Sequence, residues 1–211
     1  CFAGSKPMEM EVRLNKNWRI VVGAAKSMVE DTAAGDLQSF LKEKLNLEID
    51  IVSEDKRRGV DEIIIGTPET CNSIKKMCDD RKLRITVDSP GPEAFQLKVA
   101  DGCIFLCGFD PVGAMYGVFY LEDRMRDQKL TTELDVVRKP FFEERSCGAQ
   151  WVQKKPTSYS EENLASWLAH HHFNLYGPII SPEKTNLSDG VAERYGIQSG
   201  QCVVLPRPTM E

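Results

Sequence analysis

The stretch FQLKVADGCIFLCGFDPVGAMYGVFYLEDRM, residues 95 to 125, carries three structural signals in a row. Phe95, Leu97 and Val99 alternate with Gln96, Lys98 and Ala100, the two-residue period of a strand with one buried face. Asp101-Gly102 supplies the residue pair that tight hairpin turns demand, and Ile104 to Cys107 brings the chain back. Gly108-Phe109-Asp110-Pro111 then opens a helix over Val112 to Met125, with Met115, Val118 and Phe119 on its inner face and Glu122 at the edge. Arg124 and Arg126 fall at its far end, where the helix dipole favours cations. A hairpin feeding a helix in this way points to an α+β layer.

Upstream, Val29, Ala33, Leu37, Phe40, Leu41 and Leu45 recur at threes and fours, which predicts a helix over Met28 to Leu45. Ser27 and Glu30 have the capping-box spacing at its start. Met8, Met10, Val12 and Leu14 alternate with charged residues, and Asn15-Lys16-Asn17 offers a turn into Trp18 to Val22, so these two runs predict a hairpin. Leu47, Ile49 and Ile51 alternate as a strand, Glu62 to Gly66 is a short buried strand, and Glu69 to Cys78 is a short helix. Residues 1–7 are then a tail, and residues 8–138 an α+β domain with a mostly antiparallel sheet and two main helices on one face.

Downstream the rhythm changes. Phe141 to Arg145 and Phe173 to Tyr176 predict strands, Ser160 to His171 and Asp189 to Tyr195 predict helices, and Cys202 to Leu205 predicts a third strand. Such alternation marks βα units and a parallel sheet. The 73 residues from 139 to 211 hold only the first units of a (β/α)8 barrel, which takes about 250 residues.

The whole chain of 211 residues has 27 Lys and Arg against 32 Asp and Glu, a formal charge of −5. The balance is 20 against 24 up to Arg138 and 7 against 8 beyond it, so neither half has the basic face that nucleic acid requires. Apolar runs such as Ile63-Ile64-Ile65 and Ile104-Phe105-Leu106 are far short of the roughly 20 residues of a transmembrane helix. Of the seven cysteines, Cys103 and Cys107 flank an apolar strand and read as buried thiols; the even set left after Cys1 also permits disulfides.

Four motifs in order carry a family likeness: Asp31-Thr32-Ala33-Ala34-Gly35-Asp36-Leu37-Gln38-Ser39-Phe40-Leu41, Ile63-Ile64-Ile65-Gly66-Thr67-Pro68, Glu93-Ala94-Phe95-Gln96-Leu97-Lys98-Val99 and Gly113-Ala114-Met115-Tyr116-Gly117-Val118. Together they resemble the small N-terminal domain that precedes the catalytic barrel in bacterial α-glucuronidases and β-N-acetylhexosaminidases. As physics they are packing motifs. Ala33, Ala34 and Gly35 let a helix sit close to a sheet, Pro68 follows a strand where it breaks no ladder, and Gly113 and Gly117 thin one helix face.

The resemblance implies that Lys139 to Arg145 enters the barrel and that Arg145 hydrogen-bonds sugar hydroxyls at its mouth. The alternative is a structural Arg paired with Glu143 or Glu144. Hexosaminidases tend to continue with Gly and a nearby Asp, whereas this chain continues Ser146-Cys147-Gly148-Ala149-Gln150-Trp151. Asn174 after Phe173 is similar to the Phe-Asn at the end of the relatives' second strand. Tyr195-Gly196-Ile197, leading to Val203-Val204-Leu205-Pro206, also resembles bacterial proteins that join the same small domain to a barrel of unproven activity. Cys1-Phe2-Ala3-Gly4-Ser5 looks like the mature end of a bacterial lipoprotein, with Cys1 carrying the lipid; the alternative is a start position with no biological meaning. The lipoprotein reading implies an extracytoplasmic location, periplasmic or at the cell surface.

Glycosidases work with two carboxyl groups across the scissile bond. In barrel relatives these lie on later strands, so no catalytic residue is assigned here; Glu143-Glu144 and Glu161-Glu162 are adjacent pairs that point different ways on a strand or open the first turn of a helix, where carboxylates are favoured anyway. Three successive imidazoles, His170-His171-His172, point about 100° apart on a helix and fit a helix C-terminus better than a metal. Neither metal nor cofactor is implied. Trp151, Tyr159, Trp167 and Tyr176 offer rings that stack on sugars, Trp151 being the chosen substrate contact beside Arg145 and Asn174, or else fill a core. The leading expectation is the non-catalytic N-terminal part of a glycoside hydrolase, inactive alone and buttressing a barrel that acts on a glycan. The alternative is a stand-alone carbohydrate- or partner-binding lipoprotein module without catalysis.

Overall fold

The computed structural model describes residues 11–86, 88–127, 130–147, 160–176 and 187–199. The chain divides into two compact units, Cys1–Pro140 and Phe141–Glu211.

In the first unit the apolar run at Arg19–Val22 forms β1, with Ile20, Val21 and Val22 all buried. A strand buried on both faces lies in a sheet covered above and below, which is typical of parallel strands. β2 (Asp50–Ser53) and β3 (Glu62–Gly66) flank it, both parallel, with Ile20 opposite Ile51 and Ile63. β3 in turn pairs parallel with β5 (Cys103–Gly108), which turns back at Asp101-Gly102 onto antiparallel β4 (Phe95–Ala100). β6 (Asp135–Arg138) closes the far edge, antiparallel to β4. The order β2-β1-β3-β5-β4-β6 is thus a mixed six-stranded sheet, parallel on one side and antiparallel on the other, where a mostly antiparallel sheet was expected.

The cause lies at β1. The expected hairpin with residues 8–14 does not form among the described residues. Glu11 instead bridges Thr131, and the Val12 N–H donates to the Leu130 carbonyl at 3.0 Å. Both hydrogen-bonding edges of β1 are taken by the parallel strands β2 and β3.

Helix α1 (Met28–Leu45) starts on the anticipated capping box, with the Glu30 N–H on the Ser27 hydroxyl (3.2 Å) and the Ser27 N–H on the Glu30 carboxylate (2.6 Å). α3 (Pro111–Arg126) starts on Asp110, whose carboxylate accepts from the Gly113 N–H at 2.8 Å. The two helices pack on each other and on the sheet. α2 (Asn72–Asp79) covers the other face, where Ile74 and Met77 pack with Val21, Ile64, Phe105, Cys103 and Cys107. Helices therefore cover both faces, and the expected two-helix face describes only one of them. Fully burying a side chain such as Ile64 contributes about 2–3 kcal/mol.

Of the small residues in α1, Ala33 and Ala34 are wholly buried, but a Cβ on Gly35 would meet nothing within 4 Å. Gly35 is not a close-approach residue. Gly113 and Gly117 are, facing the Ala94 backbone and the Phe95 ring.

The second unit holds β7 (Ser146–Cys147), α4 (Glu161–His170), β8 (Leu175–Tyr176), α5 (Asp189–Arg194) and β9 (Gln198–Ser199). The three strands form a parallel sheet in the order β7-β8-β9. It is an open sheet with no closed barrel among the described residues. The expected strand at Cys202 to Leu205 lies outside them. No helix of the described residues is long and apolar enough to cross a membrane.

Candidate functional site

Two rows of residues define the ends of the second sheet. Ser146, Leu175 and Gln198 stand in register where the strands begin, and Cys147, Tyr176 and Ser199 stand one step further on. Active sites of βα architectures gather beyond the carboxyl ends of the strands, hence on the Cys147-Tyr176-Ser199 side.

Arg145 and Asn174 lie on the opposite edge, immediately before β7 and β8. Phe141 to Arg145 does not form the strand that its aromatic residues suggest. Pro140 lacks an N–H, Phe141 is 91% exposed, and the carbonyls of Phe142 and Glu143 are taken by side chains instead of a neighbouring strand. The Arg145 guanidinium donates Nη1 to the Phe142 carbonyl (2.6 Å) and the Glu143 carbonyl (3.3 Å), and Nε to the His172 carbonyl (2.5 Å).

Asn174 completes the clasp. Its Oδ1 accepts from the Arg145 N–H at 2.8 Å, and its Nδ2 donates to the Glu143 carbonyl at 2.7 Å. The N–H groups of Asn174 and Leu175 both donate to the Arg145 carbonyl, at 3.1 and 3.2 Å, and the Gln198 N–H donates to the Asn174 carbonyl at 2.8 Å. The structure thus brings together two of the three anticipated site residues, as a hydrogen-bonded clasp that aligns the starts of all three strands. Trp151 and Cys1 lie outside the described residues.

The anticipated aromatic set does not share one environment. Tyr176 is buried in the second unit, whereas Trp167 is 46% exposed on α4, its ring 4.3 Å from His171 and stacked 6.1 Å from Phe173. Tyr159 lies outside the described residues. His170 and His171 bring Nδ1 to within 2.8 Å of the carbonyls of Ser166 and Trp167, four residues back, which satisfies the helix C-terminus as its dipole favours.

Glu161 and Glu162 fasten α4 to α5. The Glu161 carboxylate accepts from the Ser188 N–H at 3.1 Å, and hydrogen bonds from the Ser188 hydroxyl and N–H hold its pKa below the ordinary value. Glu162 pairs with Arg194 at 2.5 Å. A carboxyl held ionised in this way is poorly suited to donate a proton.

In the first unit the structure adds two polar centres, one gathered from backbone N–H groups and an Arg within five residues of Glu62, the other from residues far apart along the chain. Glu62, wholly buried at the start of β3, accepts from Arg57 Nε (2.9 Å) and from the N–H groups of Arg58 (2.5 Å) and Gly59 (3.1 Å). Asp135 on β6 accepts from Gln96 Nε2 (2.6 Å), Arg84 (2.7 Å) and Lys98 (3.0 Å). Burial opposes its ionisation, but these donors outweigh that and hold its pKa below the usual carboxylate value. A shallow groove beside α2, lined by Arg57, Ser73, Lys76, Lys82, Asp101 and Phe105, has Arg57 paired to Glu62 and Lys82 to Asp101.

No protein-family model matches the chain, and no curated protein matches it. Solved structures do. The family GH115 4-O-methyl-α-glucuronidase BtGH115A, with specificity for decorated arabinogalactans, superposes with a TM-score of 0.66 at 18% identity, over 90% of this chain and 29% of its own. A GH138 enzyme targeting pectin rhamnogalacturonan II gives 0.56 at 15% identity over 85% of this chain and 30% of its own. CpGH84B gives 0.54 at 15% identity over 92% and 34%. The structural neighbours are glycoside hydrolases, and the chain spans about a third of their length or less.

Proposed function

We propose that this chain is the N-terminal, non-catalytic part of a glycoside hydrolase acting on a polysaccharide or glycan. In this reading residues 8–138 are an accessory domain that supports the barrel, and residues 139–211 supply the first βα units of the barrel itself. One observation carries it: the likeness to BtGH115A extends over about nine-tenths of the chain. At such identities the likeness supports architecture, while the sugar, the linkage and the acid and base stay with the part of the enzyme beyond these units.

Trp151, which follows β7 in the sequence, is the sugar contact in this reading. Arg145 and Asn174 shape the substrate site by aligning the strands that lead to it.

The test is the intact mass of the gene product in its source cell, joined to an assay of that product and of the 211-residue chain on aryl glucuronides and aryl N-acetylhexosaminides. A product much larger than 23.8 kDa that hydrolyses a glycoside, with the 211-residue chain inactive, is the expected result. A product of 23.8 kDa overturns the reading in favour of a stand-alone binding module. Hydrolysis by the 211-residue chain overturns the non-catalytic role.

A further inference from the structure

The two flanks of α4 differ. Ala165, Leu168 and Ala169 are wholly buried and set its inner face. At about 100° per residue, Glu162 falls to one side of that face, and there it meets Arg194 of α5. Leu164, Trp167 and His171, at three- and four-residue steps, fall to the other side. This second flank is apolar and open: Trp167 is 46% exposed, the His171 ring lies 4.3 Å from it, and Leu164 is half-buried. Such a stripe is the surface with which one helix packs on another.

The strand beside it is open as well. α5 packs on β9, so the direction from α4 to α5 is the direction from β7 to β9 across the sheet. The Trp167 flank therefore looks outward past β7, which pairs only with β8 among the described residues. A parallel strand that joins a sheet arrives with its own crossover helix, and the constant hand of such crossovers sets that helix on the same face as its neighbours. A strand added beyond β7 would thus bring a helix against Leu164, Trp167 and His171. The open edge and the apolar stripe together call for one further βα unit.

We propose that this flank is the closing seam of the barrel, where the last βα unit of the longer protein lays its strand beside β7 and packs its helix on Trp167. The inference rests on the reading of residues 139–211 as the first βα units, and it assigns closure to a named side chain. Trp167 is then a packing knob, its ring steadied by His171 and Phe173, and not a sugar contact. A second copy of the chain fits less well, because a two-fold axis would set β7 antiparallel to its equivalent, against the parallel order that β7, β8 and β9 keep.

The test compares hydroxyl-radical footprints of the 211-residue chain and of the longer gene product, mapped by mass spectrometry. Both contain residues 1–211, so protection gained in the longer product comes from its additional residues. The expected result is a several-fold drop in modification of Trp167, with Leu164 and His171 following. With the photoreactive p-benzoylphenylalanine in place of Trp167, irradiation of the longer product should crosslink that position to a peptide of the last βα unit. Equal modification of Trp167 in the two chains, or a crosslink to another segment or to a second copy, overturns the seam and leaves the barrel reading standing. A gene product of 23.8 kDa overturns the reading and the seam together.

Discussion

Gly113, in the first turn of α3, lies so close to the residue before β4 that a Cβ on it would fall 2.1 Å from the Ala94 carbonyl oxygen. The obstacle is backbone, which has no rotamer to yield. Gly113→Ala should therefore destabilise the first unit by about 2–4 kcal/mol, in the range of overpacked cores and well outside the ordinary Gly-to-Ala effect. Gly35→Ala is the control: its Cβ enters open space in a regular helix and should stabilise by about 0.5–1 kcal/mol. Urea unfolding of the two variants should give shifts of opposite sign.

Glu62 offers a second contrast. Glu62→Ala leaves Arg57 and the N–H groups of Arg58 and Gly59 without their acceptor and should cost about 3–5 kcal/mol. Glu62→Gln keeps the shape and one acceptor oxygen and should lose less. Equal losses in chemical denaturation would mean that the carboxylate charge, not packing, is what Glu62 contributes.

The second unit turns on Asn174. Asn174→Ala removes the acceptor of the Arg145 N–H and the donor to the Glu143 carbonyl, about 1–3 kcal/mol in total. Amide hydrogen exchange should quicken at residues 145–147, 175–176 and 198, and stay unchanged in β1, β3 and β5. Faster exchange throughout both units would refute the clasp as a local device.

Asp135 sets an acid dependence. Its folded pKa lies below the unfolded value, so its contribution is present above the unfolded pKa and is lost as pH falls through the folded one. Between about pH 6 and pH 2 the parent chain should lose more stability than Asp135→Asn, whose side chain cannot titrate. Parallel stability curves for the two over that range would remove Asp135 from the account.

How much of this was legible beforehand differs by element. The helix starts at Ser27 and Asp110, the Asp101-Gly102 turn, the buried run Ile63-Ile64-Ile65 and the histidines at the end of α4 all stand where local chemistry puts them. Each is decided within about five residues, by a cap, a turn dihedral or a periodicity. The clasp was half legible: Arg145 and Asn174 stood out through the family resemblance, but their partners are backbone carbonyls, which every sequence has everywhere.

The sequence by itself determined the two long helices with their caps, the Asp101-Gly102 hairpin and the buried run of β3. Only the tertiary structure decided who pairs with whom: β1 between two parallel strands instead of in a hairpin, α2 on the second face, and Asp135 with Arg84, Gln96 and Lys98. The physical reason is that an apolar run records burial and not the direction of its neighbour. Ile20-Val21-Val22 would bury the same area beside a parallel or an antiparallel strand, and the choice falls to the whole set of crossovers that packs both faces.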